Sequence, residues 1–212
     1  MLIVGAKGFA KEVLEICRQN NELENLVFYD DVNEDIGDKL YDQYPILNSL
    51  DAAMRYFEEV DNRFNIGIGN PRLRKKLFDK FTEIGGVYTS LISTSAVIGH
   101  YKVEIKEGVN ILDGVKISND VKIGLGTMIY YDAIITHDCC VGNFVEISPS
   151  VKILGRATIK DAVHLGAGCI VFPDITIGKG SVIGAGAVVN KDIPDNCTAV
   201  GVPAQIITIK YD

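Results

Sequence analysis

Thr136-His137-Asp138 interrupts a tract that is otherwise apolar and glycine-rich, and it joins the groups that a proton transfer needs. A histidine titrates near neutral pH and can take a proton from an attacking amine or hydroxyl. A carboxylate beside it can fix the imidazole tautomer and raise its basicity. Acyl transfer also needs donors for an oxyanion, and backbone N–H groups at glycine corners suit that task. A second concentration of chemistry lies near the start of the sequence. The apolar strand Leu2-Ile3-Val4 runs into Gly5-Ala6-Lys7-Gly8-Phe9-Ala10 and then into a helical pattern from about Lys11 to Asn20, with Val13, Leu14, Ile16 and Cys17 on its apolar face. Glycines ahead of a helix N-terminus place backbone N–H groups where a phosphate is favoured. Asp30-Asp31 closes the next strand, Leu26 to Tyr29, at the place where dinucleotide folds contact a ribose. Gly69-Asn70-Pro71 ends a third strand, Phe64 to Ile68, and opens a helix carrying Arg72, Arg74, Lys75 and Lys76.

The element that must position His137 is a repeat. Every sixth residue from Ile105 to Val189 is Ile, Leu or Val, with small or branched residues such as Val103, Thr127, Cys139 and Cys169 two places before. A helix of period 3.6 cannot hold a six-residue stripe on one face, whereas a chain that folds back at fixed intervals can. The period is that of a parallel β-helix, with three hexads per turn and about five coils between Val97 and Val189. Gly124, Gly142, Gly166, Gly178 and Gly184 follow the apolar marker and are expected at corners with φ > 0. The pattern is expected to stop after Val189. His137 falls two residues past the Ile135 marker, at a corner and off the stripe.

Upstream of the repeat, strands and helices alternate, which implies a short parallel sheet flanked by helices; Pro45-Ile46-Leu47 reads as a loop leading to a helix near Leu50 to Phe57. The expected fold class is a Rossmann-like α/β domain over residues 1–90, followed by a β-helix domain over 91–212. The first is too short for a complete dinucleotide fold, so a nucleotide or nucleotide-sugar suits it better than NAD. The 212 residues are 47% hydrophobic, enough for a real core, and carry a net charge of −7. That sign argues against a nucleic-acid partner. No apolar run reaches the roughly 20 residues that span a membrane, and no leader pattern is seen, so a cytoplasmic location is expected. Cys17, Cys139, Cys140, Cys169 and Cys197 lack paired spacing; Cys139 and Cys169 fall on inward positions, as small hydrophobes do.

The markers followed by glycine, as at Ile177-Gly178 and Ile183-Gly184, together with Lys191-Asp192-Ile193-Pro194 and Gly201-Val202-Pro203-Ala204, resemble the hexapeptide acyltransferases, which are left-handed β-helices. Adding Gly5-Ala6-Lys7-Gly8-Phe9-Ala10-Lys11-Glu12-Val13, Asp30-Asp31, Gly69-Asn70 and His137-Asp138-Cys139, nearly the whole chain resembles the sialic acid O-acetyltransferase NeuD family, which includes PglD-type N-acetyltransferases of nucleotide-activated 4-amino sugars. The resemblance implies a homotrimer, acetyl-CoA lying between adjacent prisms, and a nucleotide-linked amino sugar held by the small domain, in the service of surface glycan biosynthesis. It assigns the catalytic histidine to His137 and its acid to Asp138, and cofactor contacts to Glu146, Gly155, Ala167 and Ala185. Sugar-nucleotide contacts fall on Lys7, Gly8, Phe9, Asp30, Asp31 and Gly69. The sequence departs from the family at Glu146, where a histidine stands near the acetyl group, and at Tyr130, where an asparagine stands. The implied reaction is direct attack on acetyl-CoA with no covalent enzyme intermediate.

Three other readings compete. Sialic acid or another sugar could be O-acetylated. The departures at Tyr130 and Glu146 fit an inactive sugar-nucleotide-binding scaffold. A three-histidine zinc site, as in γ-type carbonic anhydrases, is disfavoured because His137 and His164 lie one and a half coils apart and no metal is expected.

Overall fold

The computed structural model describes residues 1–209. The chain divides between Thr94 and Ser95 into two compact units, against the division after residue 90 expected from sequence; the last three residues of the expected second domain lie outside the described residues. No described helix is long and apolar enough to cross a membrane.

The first unit is an α/β layer. Its elements run β1 (Leu2–Val4), α1 (Gly8–Gln19), β2 (Val27–Tyr29), β3 (Lys39–Leu40), β4 (Tyr44–Leu47), α2 (Leu50–Glu59), β5 (Arg63–Ile66), α3 (Pro71–Glu83) and β6 (Val87–Tyr88). The sheet order is β3-β4-β2-β1-β5-β6, with β3 antiparallel and the other pairs parallel. β1 is central, and its Leu2, Ile3 and Val4 are buried, as a strand covered on both faces requires. From β1 the chain builds outward through β2 and β4, then returns to β5 on the other side. The crevice beyond the carboxyl ends of β1 and β5 is thus a topological switch point, where open α/β sheets bind ligands. Phe64 stacks on Tyr88 with centroids 5.0 Å apart, and Tyr29 meets Phe81 edge-on at 4.9 Å, so aromatic rings carry much of the packing under α3. Residues 44–47 form a strand, not the loop expected around Pro45. Pro45 stands opposite Lys39, and the Ile46 N–H donates to Asp38 O (2.9 Å), so the missing proline N–H does not break the ladder.

The second unit is a left-handed parallel β-helix. Two-residue strands pair in register with those one coil on, for example Lys116 with Ile134 and Ile134 with Lys152. One face stacks Asn110–Ile111, Met128–Ile129, Glu146–Ile147, His164–Leu165 and Val182–Ile183. The next stacks Val97–Ile98, Lys116–Ile117, Ile134–Ile135, Lys152–Ile153, Ile170–Val171 and Val188–Val189. The third stacks Glu104–Ile105, Lys122–Ile123, Cys140–Val141, Thr158–Ile159 and Thr176–Ile177. The second residue of most strands points inward and is almost fully buried; each such side chain contributes roughly 1.5–3 kcal/mol.

The corners differ from expectation. The left-handed position is the third residue after the marker: Gly126, Asp132, Asp138, Phe144, Ser150, Arg156, Ala162, Gly168, Asp174, Gly180 and Gly186 all have φ between 52° and 68°. Gly124, Gly142, Gly166, Gly178 and Gly184 are not in that region. They are needed because coils approach closely: a Cβ on Gly124 would lie 2.4 Å from Gly142 backbone. The stacking also outlasts Val189. Ile193 bridges to Ile177, and Cys197–Val200 pairs with Val182–Ile183 and with the antiparallel Gln205–Ile209.

Candidate active site

Asp138 takes the left-handed corner position, with φ 61°. Aspartate tolerates that region better than most residues. The backbone is pinned by the Asp138 N–H donating to Asn119 O one coil below (3.2 Å) and the Arg156 N–H donating to His137 O from the coil above (3.1 Å). The Asp138 carboxylate then curls back so that Oδ2 lies 2.7 Å from His137 Nδ1. A carboxylate only accepts, so Nδ1 carries the hydrogen and the Nε2 lone pair is left for chemistry. Both side chains are more than half exposed, so the imidazole is open to a substrate. Gly155 lies directly above the ring. A Cβ there would sit 2.7 Å from His137 Cε1 and 3.0 Å from Nε2, so the absence of a side chain is what gives the imidazole its place. The Gly155 N–H has no partner among the described residues. Beyond it, Arg156 forks onto Asp174 with contacts of 2.6 and 2.7 Å, tying the next two corners together. Cys139 faces inward and burial raises its thiol pKa, so it is a packing residue rather than a nucleophile.

The other sequence-selected prism residues gather elsewhere. Ala167 and Ala185 are exposed and stack on the corner between the first and second faces, with the Gly186 N–H donating to Ala167 O (2.8 Å). Glu146 lies on the first face and pairs in register with His164, whose Nε2 is 3.8 Å from Glu146 Oε1 and 3.3 Å from Ser148 Oγ. Tyr130 is half-buried beside Tyr131. Within one chain the second face therefore separates two groups: His137, Asp138 and Gly155 on one edge; Ala167 and Ala185 on the other, with Glu146 beyond them.

In the small unit, Lys7 precedes α1 without capping it by its side chain. Its ammonium instead reaches Asp35 Oδ1 (2.6 Å), which holds the Asp35 carboxyl below its ordinary range. Lys7, Gly8, Lys11, Lys39 and Asp35 line a basin of about 500 Å³ at that helix end. Phe9 is buried and does not line this basin. The two acids after β2 are in different states. Asp30 Oδ1 accepts from the Val32 and Asn33 N–H groups and from Asn33 Nδ2, folding the loop back on itself. Asp31 Oδ2 accepts from Tyr29 Oη (2.7 Å) and Lys80 Nζ (3.0 Å). Burial raises the Asp31 pKa, but the Tyr29 hydroxyl and the Lys80 ammonium outweigh it, and the net shift is downward. Gly69 is held by Arg74, a fully buried guanidinium that donates to the Ile68 and Gly69 carbonyls. Sequence reading placed Arg74 in a basic run with Arg72, Lys75 and Lys76 at the start of α3, without distinguishing it from them, and passed over Lys80. Both lie on α3, where Arg74 and Phe81, seven residues apart, mark the buried face, whereas Lys80 stands at its edge and carries no such signal.

Residues 1–81 match the family model described as the PglD N-terminal domain. Among solved structures, a point mutant of perosamine N-acetyltransferase from Caulobacter crescentus, in complex with CoA and GDP-perosamine, is 32% identical with a TM-score of 0.87, covering 98% of this chain and 96% of that one. The acetyltransferase domain of PglB from Neisseria gonorrhoeae, in complex with acetyl coenzyme A, is 25% identical with a TM-score of 0.86, covering 97% and 98%. Galactoside O-acetyltransferase from Lactococcus lactis is 40% identical over a stretch covering 38% of this chain and 50% of that protein. The chain spans about half the length, or less, of the curated relatives it matches.

Proposed function

The chain belongs to the PglD-type sugar acetyltransferases of the hexapeptide-repeat superfamily, and from that premise we propose that it transfers the acetyl group of acetyl-CoA to the amino group of a nucleotide-activated amino sugar of the 4-amino-4,6-dideoxy type. The observation that carries the reading is the His137–Asp138 pair seated under Gly155, an oriented base at an exposed corner. In the reaction the sugar nitrogen attacks the thioester carbonyl and forms the C–N bond. His137 Nε2 takes the N–H proton while the Asp138 carboxylate stabilises the imidazolium. The Gly155 N–H is the donor placed beside the ring for the oxyanion. The C–S bond then breaks, and the leaving thiolate takes the proton from His137. No enzyme nucleophile is required.

The acetyl-CoA contacts are Glu146, Gly155, Ala167 and Ala185. In one chain they lie on opposite edges of the second prism face, which supports a homotrimer whose cleft takes His137 and Gly155 from one copy and Ala167, Ala185 and Glu146 from its neighbour. The small unit holds the nucleotide-sugar: the basin at Lys7 and Gly8 takes the diphosphate, and the crevice at Asp30, Asp31 and Gly69 takes the nucleoside. The reading places the protein in the cytoplasm, in surface glycan biosynthesis. A panel of GDP-, UDP- and dTDP-linked 4-amino sugars and their 4-hydroxy counterparts, with acetyl-CoA, tests it by thiol release and product mass. Acetamide formed on an amino sugar is the expected result. Turnover confined to hydroxyl acceptors, or to free or CMP-linked sialic acid, would overturn it.

A further inference from the structure

Resting on the reading of His137 and Asp138 as the base and its orienting acid, we propose that Asp174 is a positioning residue for the transfer: it holds the Arg156 guanidinium away from Asp138, so that the Asp138 carboxylate stays on His137. The left-handed position at the active corner is charged on five successive coils, as Lys102, Asp120, Asp138, Arg156 and Asp174, with φ between 52° and 64°. Backbone hydrogen bonds stack these positions one coil apart. The N–H groups of Asp120, Asp138, Arg156 and Asp174 donate to the Tyr101, Asn119, His137 and Gly155 carbonyls. Paired strands lie about 4.8 Å apart, so Asp138 has an anion, Asp120, one step below it and a cation, Arg156, one step above. Opposite charges this close attract, and Asp138 is the acid that a free Arg156 would meet. The structure shows another pairing. Arg156 Nε lies 2.6 Å from Asp174 Oδ1, and its second guanidinium contact reaches Asp174 Oδ2 at 2.7 Å. The fork matches the two oxygens of one carboxylate. The Arg156 pKa is raised first by the Asp174 contacts and less by the Asp138 charge, so both acids act on one cation and Asp174 holds it. The other charges of the column are also engaged: Lys102 meets Asp120 at 3.7 Å, and Asp192, next above, accepts from the Thr176 N–H (2.8 Å).

Asp138 serves one partner at a time. A guanidinium on it would take both oxygens, and the His137 Nδ1–H would lose its acceptor. The imidazole would keep its place under Gly155 but lose the tautomer that leaves Nε2 free, so substrate binding would survive and turnover would fall. Asp174 touches neither the base nor the reacting atoms; it acts through Arg156 and then Asp138. Both side chains of the bridge are more than half exposed, and an exposed ion pair biases a population by about fivefold at most. That sets the size of the effect.

Steady-state turnover of the full-length chain with acetyl-CoA and the best-bound nucleotide-linked 4-amino sugar tests the proposal. Asp174→Asn keeps a residue that tolerates the left-handed corner but removes the charge. It should lower kcat by about threefold to fivefold with the nucleotide-sugar KM unchanged. Arg156→Gln removes the competing cation and should stay within about twofold of the wild type, as surface substitutions do. The double variant, Arg156→Gln with Asp174→Asn, should regain the Arg156→Gln rate. In about 1 M salt, where the Debye length is about 3 Å, the Asp174→Asn deficit should shrink. A bridge that only ties two corners together would impair Arg156→Gln, Asp174→Asn and the double variant alike, with melting temperatures lowered to match; that pattern overturns the proposal. If Asp174→Asn does not fold, Asp174→Gly, which suits positive φ, carries the test with the same expectations. Wild-type turnover in the Asp174 variant overturns the positioning role and leaves the acetyl-transfer reading standing. No acetamide formation by the wild type overturns both.

Discussion

His137 owes its orientation to Asp138 beside it in sequence and to Gly155 one coil above; Asp31 is held by Tyr29 and by Lys80, on a helix that follows three further strands in the chain. The prism and the α/β unit thus solve the same problem, a polar group held in a fixed direction near solvent, by opposite means. In the prism the backbone does the work. Each corner hangs from the coils above and below, so a side chain there needs one neighbour to be placed. In the α/β unit the loops after the strands are fixed by side chains of α3: Lys80 reaches Asp31, 49 residues away in the chain, and Arg74 turns back onto the Gly69 carbonyl at the start of its own helix. A site on a periodic rack is robust to distant substitution and sensitive to its nearest neighbours; a site on cross-linked loops is the reverse.

The contrast breaks most visibly at the base. His137→Ala should lower turnover by about 10²–10⁴-fold, the usual worth of a general base, with nucleotide affinity and melting temperature unchanged. Gly155→Val leaves every polar group in place but fills the space of the ring; about a 10²-fold loss is expected from misplacement alone, read as a fall in turnover at constant nucleotide KM. If Gly155→Val is fully active, the ring is not held by the coil above, and the prism half of the comparison fails. Asp138→Asn should cost less, about tenfold, since this acid is half exposed and water can partly replace it.

The smallest effect belongs to the other region. Asp61 accepts from the Arg63 N–H and guanidinium. Burial raises its pKa, but the Arg63 contacts and the Met1 amine outweigh this and hold it well below the ordinary carboxylate range. A depressed folded-state pKa gives stability that is present above the unfolded value, near pH 4, and is lost as pH falls through the folded value. Asp61→Asn should therefore lower the melting midpoint by a few degrees at pH 7 and flatten its fall below about pH 4, with turnover at 25 °C unchanged. A calorimetric scan series across pH checks this, and an unchanged acid limb would show that the cross-links of this unit contribute little.

How much of this was legible in the sequence follows from the same contrast. The six-residue stripe exposes the prism because every coil must send a branched side chain inward at the same place, and the break at Thr136-His137-Asp138 exposes the site because it departs from that rule. The glycines after the marker misled, because two different demands select glycine in a coil. Gly124 and Gly142 answer close approach between coils, whereas positive φ falls two residues later and is met by Asp132, Asp138 and Asp174 as well as by glycine. In the α/β unit the glycines, Asp30-Asp31 and Gly69 could be found locally. The role of Lys80 could not, since nothing near it in sequence signals a partner on β2, and the two-residue strands β3 and β6 are too short to carry a period.

The central claim is that His137 is the base for an amine delivered on a nucleotide. The most direct measurement compares the wild-type protein with His137→Ala in the presence of acetyl-CoA and the GDP-, UDP- or dTDP-linked 4-amino sugar that binds best, following CoA release and acetamide formation alongside nucleotide-sugar affinity. The account predicts one acetamide per CoA released by the wild type, with the variant binding the sugar nucleotide equally well and turning over at least about a hundredfold more slowly. Equal turnover by the two proteins, or CoA release without acetylation of the amine, would contradict it.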